Sequence, residues 1–181
     1  MQQISGFLTN CTDICLSKPL AMSILIRKAV KADMPTVLNL IKELAVYEKE
    51  PDAVHISSET LEKEGLGEHP LFTCFVAEVD GLIAGIALTY FVFSTWQGRT
   101  LHLEDLVVTQ KMRGTGVGMA LYKRVMQFGK EENVAQVKWI VLDWNTPAID
   151  FYEKTGAVMH KNWHIVAMDT ARLNSFLDDS N

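Results

Sequence analysis

Three cysteines, Cys11, Cys15 and Cys74, are all that the 181 residues contain. That is too few for a disulfide framework. The odd number suits a reducing compartment, and a cytoplasmic protein is expected. No uninterrupted apolar run approaches the ~20 residues that cross a bilayer as a helix, so no membrane partner is expected. Positive charge is also short. Lys and Arg number 17 against 22 Asp and Glu, a net charge of −5. A sequence-independent nucleic-acid binder needs a basic surface, so that class is excluded, whereas a cationic substrate is compatible with the balance. Cys11-x-x-x-Cys15 and His160-x-x-x-His164 have the internal spacing of zinc-ligand pairs. They lie at opposite ends of the chain with no ligand-like context between them, and no metal is expected. Repeats and low-complexity linkers are missing too. Residues 1–21 lack the basic start and continuous apolar stretch of a signal peptide. Met22 directly precedes the first convincing strand. The chain therefore reads as an N-terminal extension, 1–21, and one domain, 22–181, long enough for a substantial core.

Strand and helix periodicities alternate along that domain. A strand is expected at 24–28. A helix follows, with Asp33 as its cap, Pro35 in its first turn and a stripe of Met34, Val37, Leu38, Ile41, Leu44 and Ala45. A second helix starts at Ser57 or Ser58 and stops at Gly65. Strands at 73–79 and 82–93 meet at Asp80-Gly81, a hairpin signal. The second of them is apolar on both faces and belongs in the middle of a sheet. Strands at 101–108 and 136–142, a helix at 117–131 and a short helix from Asn145-Thr146-Pro147 to Gly156 come next. Segments 158–160 and 165–169 are expected to close the sheet, before a terminal helix near 170–177. The order is that of a mixed α/β domain, with a mostly antiparallel central sheet flanked by helices.

Between the strand at 101–108 and its helix stands Arg113-Gly114-Thr115-Gly116-Val117-Gly118. A glycine-rich turn at a helix start presents backbone N–H groups at the positive end of the helix dipole, which suits a phosphate. Gly116 and Gly118 permit close approach, and Arg113 brings a cation. A P-loop would require Lys-Ser/Thr after its last glycine, and Met119-Ala120 stand there. The dinucleotide fingerprint would require a sixth-position glycine, and Met119 or Leu121 stands there instead.

Glu104 and Asp105 are adjacent acids in the otherwise apolar run Leu101-His102-Leu103-Glu104-Asp105-Leu106-Val107-Val108. Neighbours in a regular strand point to opposite faces. Either one carboxylate faces the interior or the strand bulges. A buried carboxylate needs a reason: structural hydrogen bonding, or proton transfer by Glu104 with Asp105 attracting a cation. Tyr152, in Ile149-Asp150-Phe151-Tyr152, either packs in the core or donates its phenolic proton.

The spacing Arg-x-x-Gly-x-Gly after a late strand resembles the pyrophosphate loop of the GCN5-related N-acetyltransferases, the GNAT superfamily. Further segments resemble its spermidine/spermine acetyltransferase family across nearly all of the chain from Ile24 onward. They are Leu40-Ile41-Lys42-Glu43-Leu44-Ala45, Gly67-Glu68-His69-Pro70, Phe75-Val76-Ala77-Glu78-Val79, Leu103-Glu104-Asp105, Trp144-Asn145 and Phe151-Tyr152. The resemblance implies the GNAT fold, acetyl-coenzyme A (acetyl-CoA) as cosubstrate and a homodimer. It implies that the backbones of Leu106 and Val108 pair with the pantetheine arm. It places the pyrophosphate on the amides of Arg113, Gly114, Thr115, Gly116, Val117, Gly118 and Met119, and makes Asn145 a cofactor contact. It makes Tyr152 the general acid and places Glu104 at the amine with a water between.

The chain departs from the polyamine pattern at Ser94, two positions before Trp96, and at Lys161 and Asn162, just before Trp163. Polyamine-acetylating members carry acids there. Their loss removes attraction for a long polycation. Ser94-Thr95-Trp96-x-Gly98-Arg99-Thr100 and Val141-Leu142-Asp143-Trp144-Asn145 instead resemble the thialysine Nε-acetyltransferase branch, as does Glu48-Lys49. Trp96 and Trp163 either shape an amine pocket or fill the core. The expected substrate is a small primary amine such as thialysine, a lysine-like amine or a diamine, met by Glu48, Trp96, Glu104 and Asp105. The alternatives are a polyamine acetyltransferase, acetylation of a protein, and a CoA-binding sensor without turnover.

Overall fold

The computed structural model describes residues 23–178. The extension at 1–21 and the Cys11/Cys15 pair lie outside the described residues. These divide after Trp139 into two compact units.

The first unit is built on a five-stranded sheet in the order β1 (Ile24–Lys28), β2 (Thr73–Val79), β3 (Leu82–Ser94), β4 (Gly98–Val108) and β5 (Gln136–Trp139). The first four strands run antiparallel in sequence order, and β5 joins β4 in parallel. This is the mixed, mostly antiparallel α/β arrangement expected. The β2–β3 turn has φ 51° at Asp80 and φ 79° at Gly81, the backbone that a two-residue hairpin of native twist requires. Central position explains the apolar character of β3. Ala84, Ile86, Ala87 and Leu88 are all buried, alternately on its two faces.

Helices cover both faces of the sheet. On one, α3 (Val117–Glu131) presents Val117, Leu121, Val125 and Phe128 at helical spacing to Phe75, Ala77, Ala87, Leu101 and Leu103. On the other, α1 (Met34–Tyr47) and α2 (Ser58–Leu66) set Met34, Val37, Leu40 and Leu61 against Cys74, Val76, Ile86 and Val107. Asp33 precedes α1 as expected but does not cap it through its side chain. Its carboxylate accepts from Val30 N–H at 2.8 Å and pairs with Arg27 Nη1 at 2.6 Å. Those bonds, Arg27 first, hold its pKa below the ordinary value despite burial.

The second unit contains α4 (Thr146–Lys154) and α5 (Thr170–Asp178). Asn145 caps α4 by accepting Ala148 N–H, and Gly156 at φ 85° follows its end. Here the strand expectations need correction. β5 stops at Trp139 rather than 142, and neither 158–160 nor 165–169 is a strand. Alternation and β-propensity do not make a strand without a partner ladder. Instead of forming a buried face, Val158, Ile165 and Val166 stand exposed, Val166 at 91%.

Candidate active site

The adjacent acids sit on a β-bulge. Tyr90 pairs with His102, Thr89 with Leu103, and Leu88 next with Asp105, so Glu104 is the extra residue on β4. The register places His102 and Asp105 on one face of the sheet although they are three residues apart, because Leu88 and Tyr90 share a face of β3. Both acids thereby turn toward the face covered by α1 and α2.

There they line a pocket of about 380 Å³ with Ile41, Leu61, Phe72, Leu88 and the connecting residues Ala53, Val54, His55 and Ile56. Its walls are largely apolar and its charge is concentrated in the two carboxylates. Burial pushes the Asp105 carboxyl up to about 6, with Glu104 and then Glu48 adding repulsion. Burial also raises the pKa of Glu48. Three acids thus share one neighbourhood, and a cation entering it would relieve their repulsion.

Glu104 has partners that the sequence did not announce. Tyr90 Oη donates to Glu104 Oε2 at 3.0 Å. His102 Nε2 lies 3.4 Å from the same oxygen. His102 is detectable in principle, since it stands two residues before Glu104 on the same strand. Tyr90 is found only through the β3–β4 register.

The edge of β4 beyond the bulge is shaped by where β5 ends. β5 pairs with Thr100 to Leu103 and no further. Thr109 N–H donates to Ala84 O across the β3 edge. Strand alternation therefore directs the backbone groups of Leu106 and Val108 to the opposite edge, which no strand occupies among the described residues. A linear ligand with amide groups could add to it in the manner of a strand.

At the end of that edge is the glycine loop. Gly114 has φ 78° and Gly116 φ 96°, conformations costly for other residues. Gly116 is the N-cap of α3, and its carbonyl accepts Ala120 N–H at 3.0 Å. The N–H groups of Gly116, Val117, Gly118 and Met119 thus have no acceptor within the helix. They stand at the positive end of its dipole, an arrangement suited to an anion. The Arg113 side chain has another task beside it. Its Nε donates to Val108 O at 3.1 Å, and its guanidinium lies 4.8 Å from the centre of the Tyr47 ring. Glu43 Oε1 is 3.9 Å from Arg113 Nη2 and accepts Gln110 N–H at 2.8 Å. Residues of α1 therefore brace the loop, a role the sequence reading did not assign to Glu43.

The remaining expected residues belong to other elements. Trp96 is in the β3–β4 turn, 79% exposed and outside the pocket lining. Ser94 accepts the N–H groups of Trp96 and Gln97 in that turn. In the second unit, Tyr152 is buried on α4 with its ring edge-on to Phe151 at 5.3 Å. Trp163 is exposed there. Among the described residues no cluster of three or more His, Cys, Asp or Glu is placed to hold a metal ion, and no helix is long and apolar enough to cross a membrane.

The sequence model of the acetyltransferase (GNAT) family matches residues 35–157, about two thirds of the chain. The protein belongs to that family. This acetyltransferase is 40% identical over 153 residues to the thialysine N-epsilon-acetyltransferase of Sus scrofa, a match spanning 78% of this chain and 90% of the relative. It is 35% identical over 158 residues to spermidine/spermine N(1)-acetyltransferase-like protein 1 of Homo sapiens, spanning 82% of this chain and 23% of that longer protein. Among solved structures, an aminoglycoside N-acetyltransferase in complex with CoA aligns at a TM-score of 0.68 and 18% identity, over 84% of this chain and 99% of that one. At such identity the likeness establishes the GNAT fold alone. Family membership makes the protein an acetyl-CoA-dependent acyltransferase that acts on amines.

Proposed function

We propose that this acetyltransferase moves the acetyl group of acetyl-CoA to the primary amine of a small molecule, with thialysine or a lysine-like amine favoured over a polyamine. The observation that carries the reading is the bulge at Glu104, which turns two consecutive carboxylates into one largely apolar pocket. The 40% identity to a thialysine acetyltransferase supports the choice of amine.

The amine arrives protonated. At a pKa of ~10.4, freeing its lone pair at pH 7 costs roughly 4–5 kcal/mol. Asp105 and Glu48 attract the ammonium group, and Glu104 accepts its proton directly or through one water. Acetyl-CoA supplies an activated acetyl thioester when bound. In this reading the backbones of Leu106 and Val108 hold its amide-bearing arm. The amides from Arg113 through Gly114, Thr115, Gly116, Val117 and Gly118 to Met119 hold its pyrophosphate, with Asn145 as a further contact. The orphan N–H groups and the positive φ at Gly116 fit such a group, because the backbone there is bare of a Cβ. Tyr152 donates its phenolic proton to the departing thiolate. Ser94, engaged in its own turn, supplies no anionic charge for a distant ammonium. We further propose a homodimer, supported by the family resemblance and testable by light scattering at micromolar concentration.

The test is a steady-state turnover screen of the full chain with acetyl-CoA against thialysine, lysine, diamines, spermidine and spermine. The expected result is a higher kcat/KM for thialysine or another short amine than for spermine. Preference for spermine over every short amine would overturn the substrate assignment, and no turnover with any amine would favour a sensor.

A further inference from the structure

Glu104 reaches into the pocket from an unusual support. As the extra residue of a bulge it has no opposite partner on β3. Its side chain is about half exposed, 50% by area. Left alone, a glutamate in that position would sample several rotamers, and ordering it has an entropic cost. Two aromatic side chains oppose that freedom. Tyr90 and His102 are direct cross-strand partners on β3 and β4, and their rings lie 4.9 Å apart. Their polar atoms converge on the same carboxylate oxygen. Tyr90 Oη donates to Oε2 at 3.0 Å, and His102 Nε2 lies 3.4 Å from it.

We propose that Tyr90 and His102 are positioning residues that hold Glu104 through Oε2 and thereby present Oε1 to the incoming amine. This rests on the reading of Glu104 as the proton acceptor. The convergence carries the argument. Two polar groups at different oxygens would occupy both sides of the carboxylate, whereas two at one oxygen leave the other for chemistry. The side chain of His102 is only 13% exposed, so the ring is a fixed support. Three charged or titratable groups face it: Glu104 on its own strand, Tyr90 on β3, and Lys138, its partner on β5. Burial lowers the pKa of His102, Lys138 lowers it further and Glu104 opposes them. A proton on Nε2 would make that nitrogen, 3.4 Å from Oε2, a donor to Glu104.

The experiment is steady-state kinetics with acetyl-CoA and thialysine on the full chain and on Tyr90→Phe, His102→Phe, their double variant, His102→Gln and Glu104→Gln. The two phenylalanines keep the ring pair and remove the polar atoms. Each should lower kcat about 3- to 10-fold, and the double variant more, with KM for the amine within about twofold. His102→Gln keeps a donor at similar reach and should recover most of the loss. In the Glu104→Gln background, the phenylalanine substitutions should change kcat by less than about twofold, because they act only through Glu104. Wild-type kcat in the Tyr90/His102 double variant, with Glu104→Gln impaired, overturns the clamp and leaves Glu104 as acceptor. Equal losses in the Glu104→Gln background also overturn it, since the two rings would then be structural. Wild-type kcat in Glu104→Gln overturns both readings.

Discussion

Replacing Asp105 with asparagine should make this enzyme more stable and less active, and the gain in stability should depend on pH. Burial, aided by Glu104 and Glu48, lifts the Asp105 carboxyl from the ordinary 3.8 to about 6. In the unfolded chain the same group titrates near 3.9. Between about pH 4 and pH 6 the folded state therefore binds more protons than the unfolded state. Stability falls as pH rises through that window. At about 1.4 kcal/mol per pH unit, the full difference is about 3 kcal/mol. Partial exposure of the pocket reduces it to about 1–3 kcal/mol. Asparagine has nearly the same shape and no charge to bury. At pH 8 Asp105→Asn should gain about 1–3 kcal/mol, roughly 3–10 °C in melting temperature for a chain of this size. At pH 4 the two proteins should melt nearly together. Urea and thermal unfolding at both pH values measure the difference. In parallel, wild-type kcat/KM for the amine should fall as pH drops through about 6, where Asp105 takes up its proton, and Asp105→Asn should lose that limb together with much of its kcat/KM. A variant that is less stable than wild type at pH 8, or a difference that does not change with pH, would refute the assignment of Asp105 as a carboxylate held ionised in a pocket for the sake of a cation.

Three further outcomes follow from the geometry. Gly116→Val sets a β-branched side chain at φ 96° and among the exposed amides; it should cost about 1–3 kcal/mol in stability and weaken acetyl-CoA binding at least about tenfold by calorimetry, and unchanged affinity would count against the loop as the pyrophosphate site. Glu43→Gln weakens the brace between α1 and the loop; it should raise KM for acetyl-CoA several-fold and leave KM for the amine unchanged, whereas an effect on the amine alone would contradict the brace. Tyr152→Phe keeps the buried ring and removes its hydroxyl; kcat should fall by about one to four orders of magnitude with folding intact, and wild-type turnover would assign the residue to packing.

What was legible in the sequence is what the chain decides locally. Asp80-Gly81 writes its own hairpin, because two consecutive positive φ values suit few other pairs. The helix expected at 117–131 forms at those bounds, with Val117, Leu121, Val125 and Phe128 buried at helical spacing. Gly114 and Gly116 announce the turn that starts α3, since the positive φ values it needs are met within six residues. The adjacency of Glu104 and Asp105 posed a choice between a buried acid and a bulge, but β4 alone could not make it. The choice belongs to the register with β3, where Leu88 meets Asp105 and Thr89 meets Leu103. The same register brings Tyr90 over His102 and both to one oxygen of Glu104, across 14 residues of chain. Arg113, which reads as a cation for a phosphate, is bound by Val108 and braced by Glu43 of α1, 70 residues earlier in sequence. The strands expected at 158–160 and 165–169 failed for a related reason: alternation marks what a segment could offer a sheet, and only a partner ladder makes it a strand. Local backbone preference is written residue by residue, whereas pairing between distant segments is decided by the free energy of the whole packed unit.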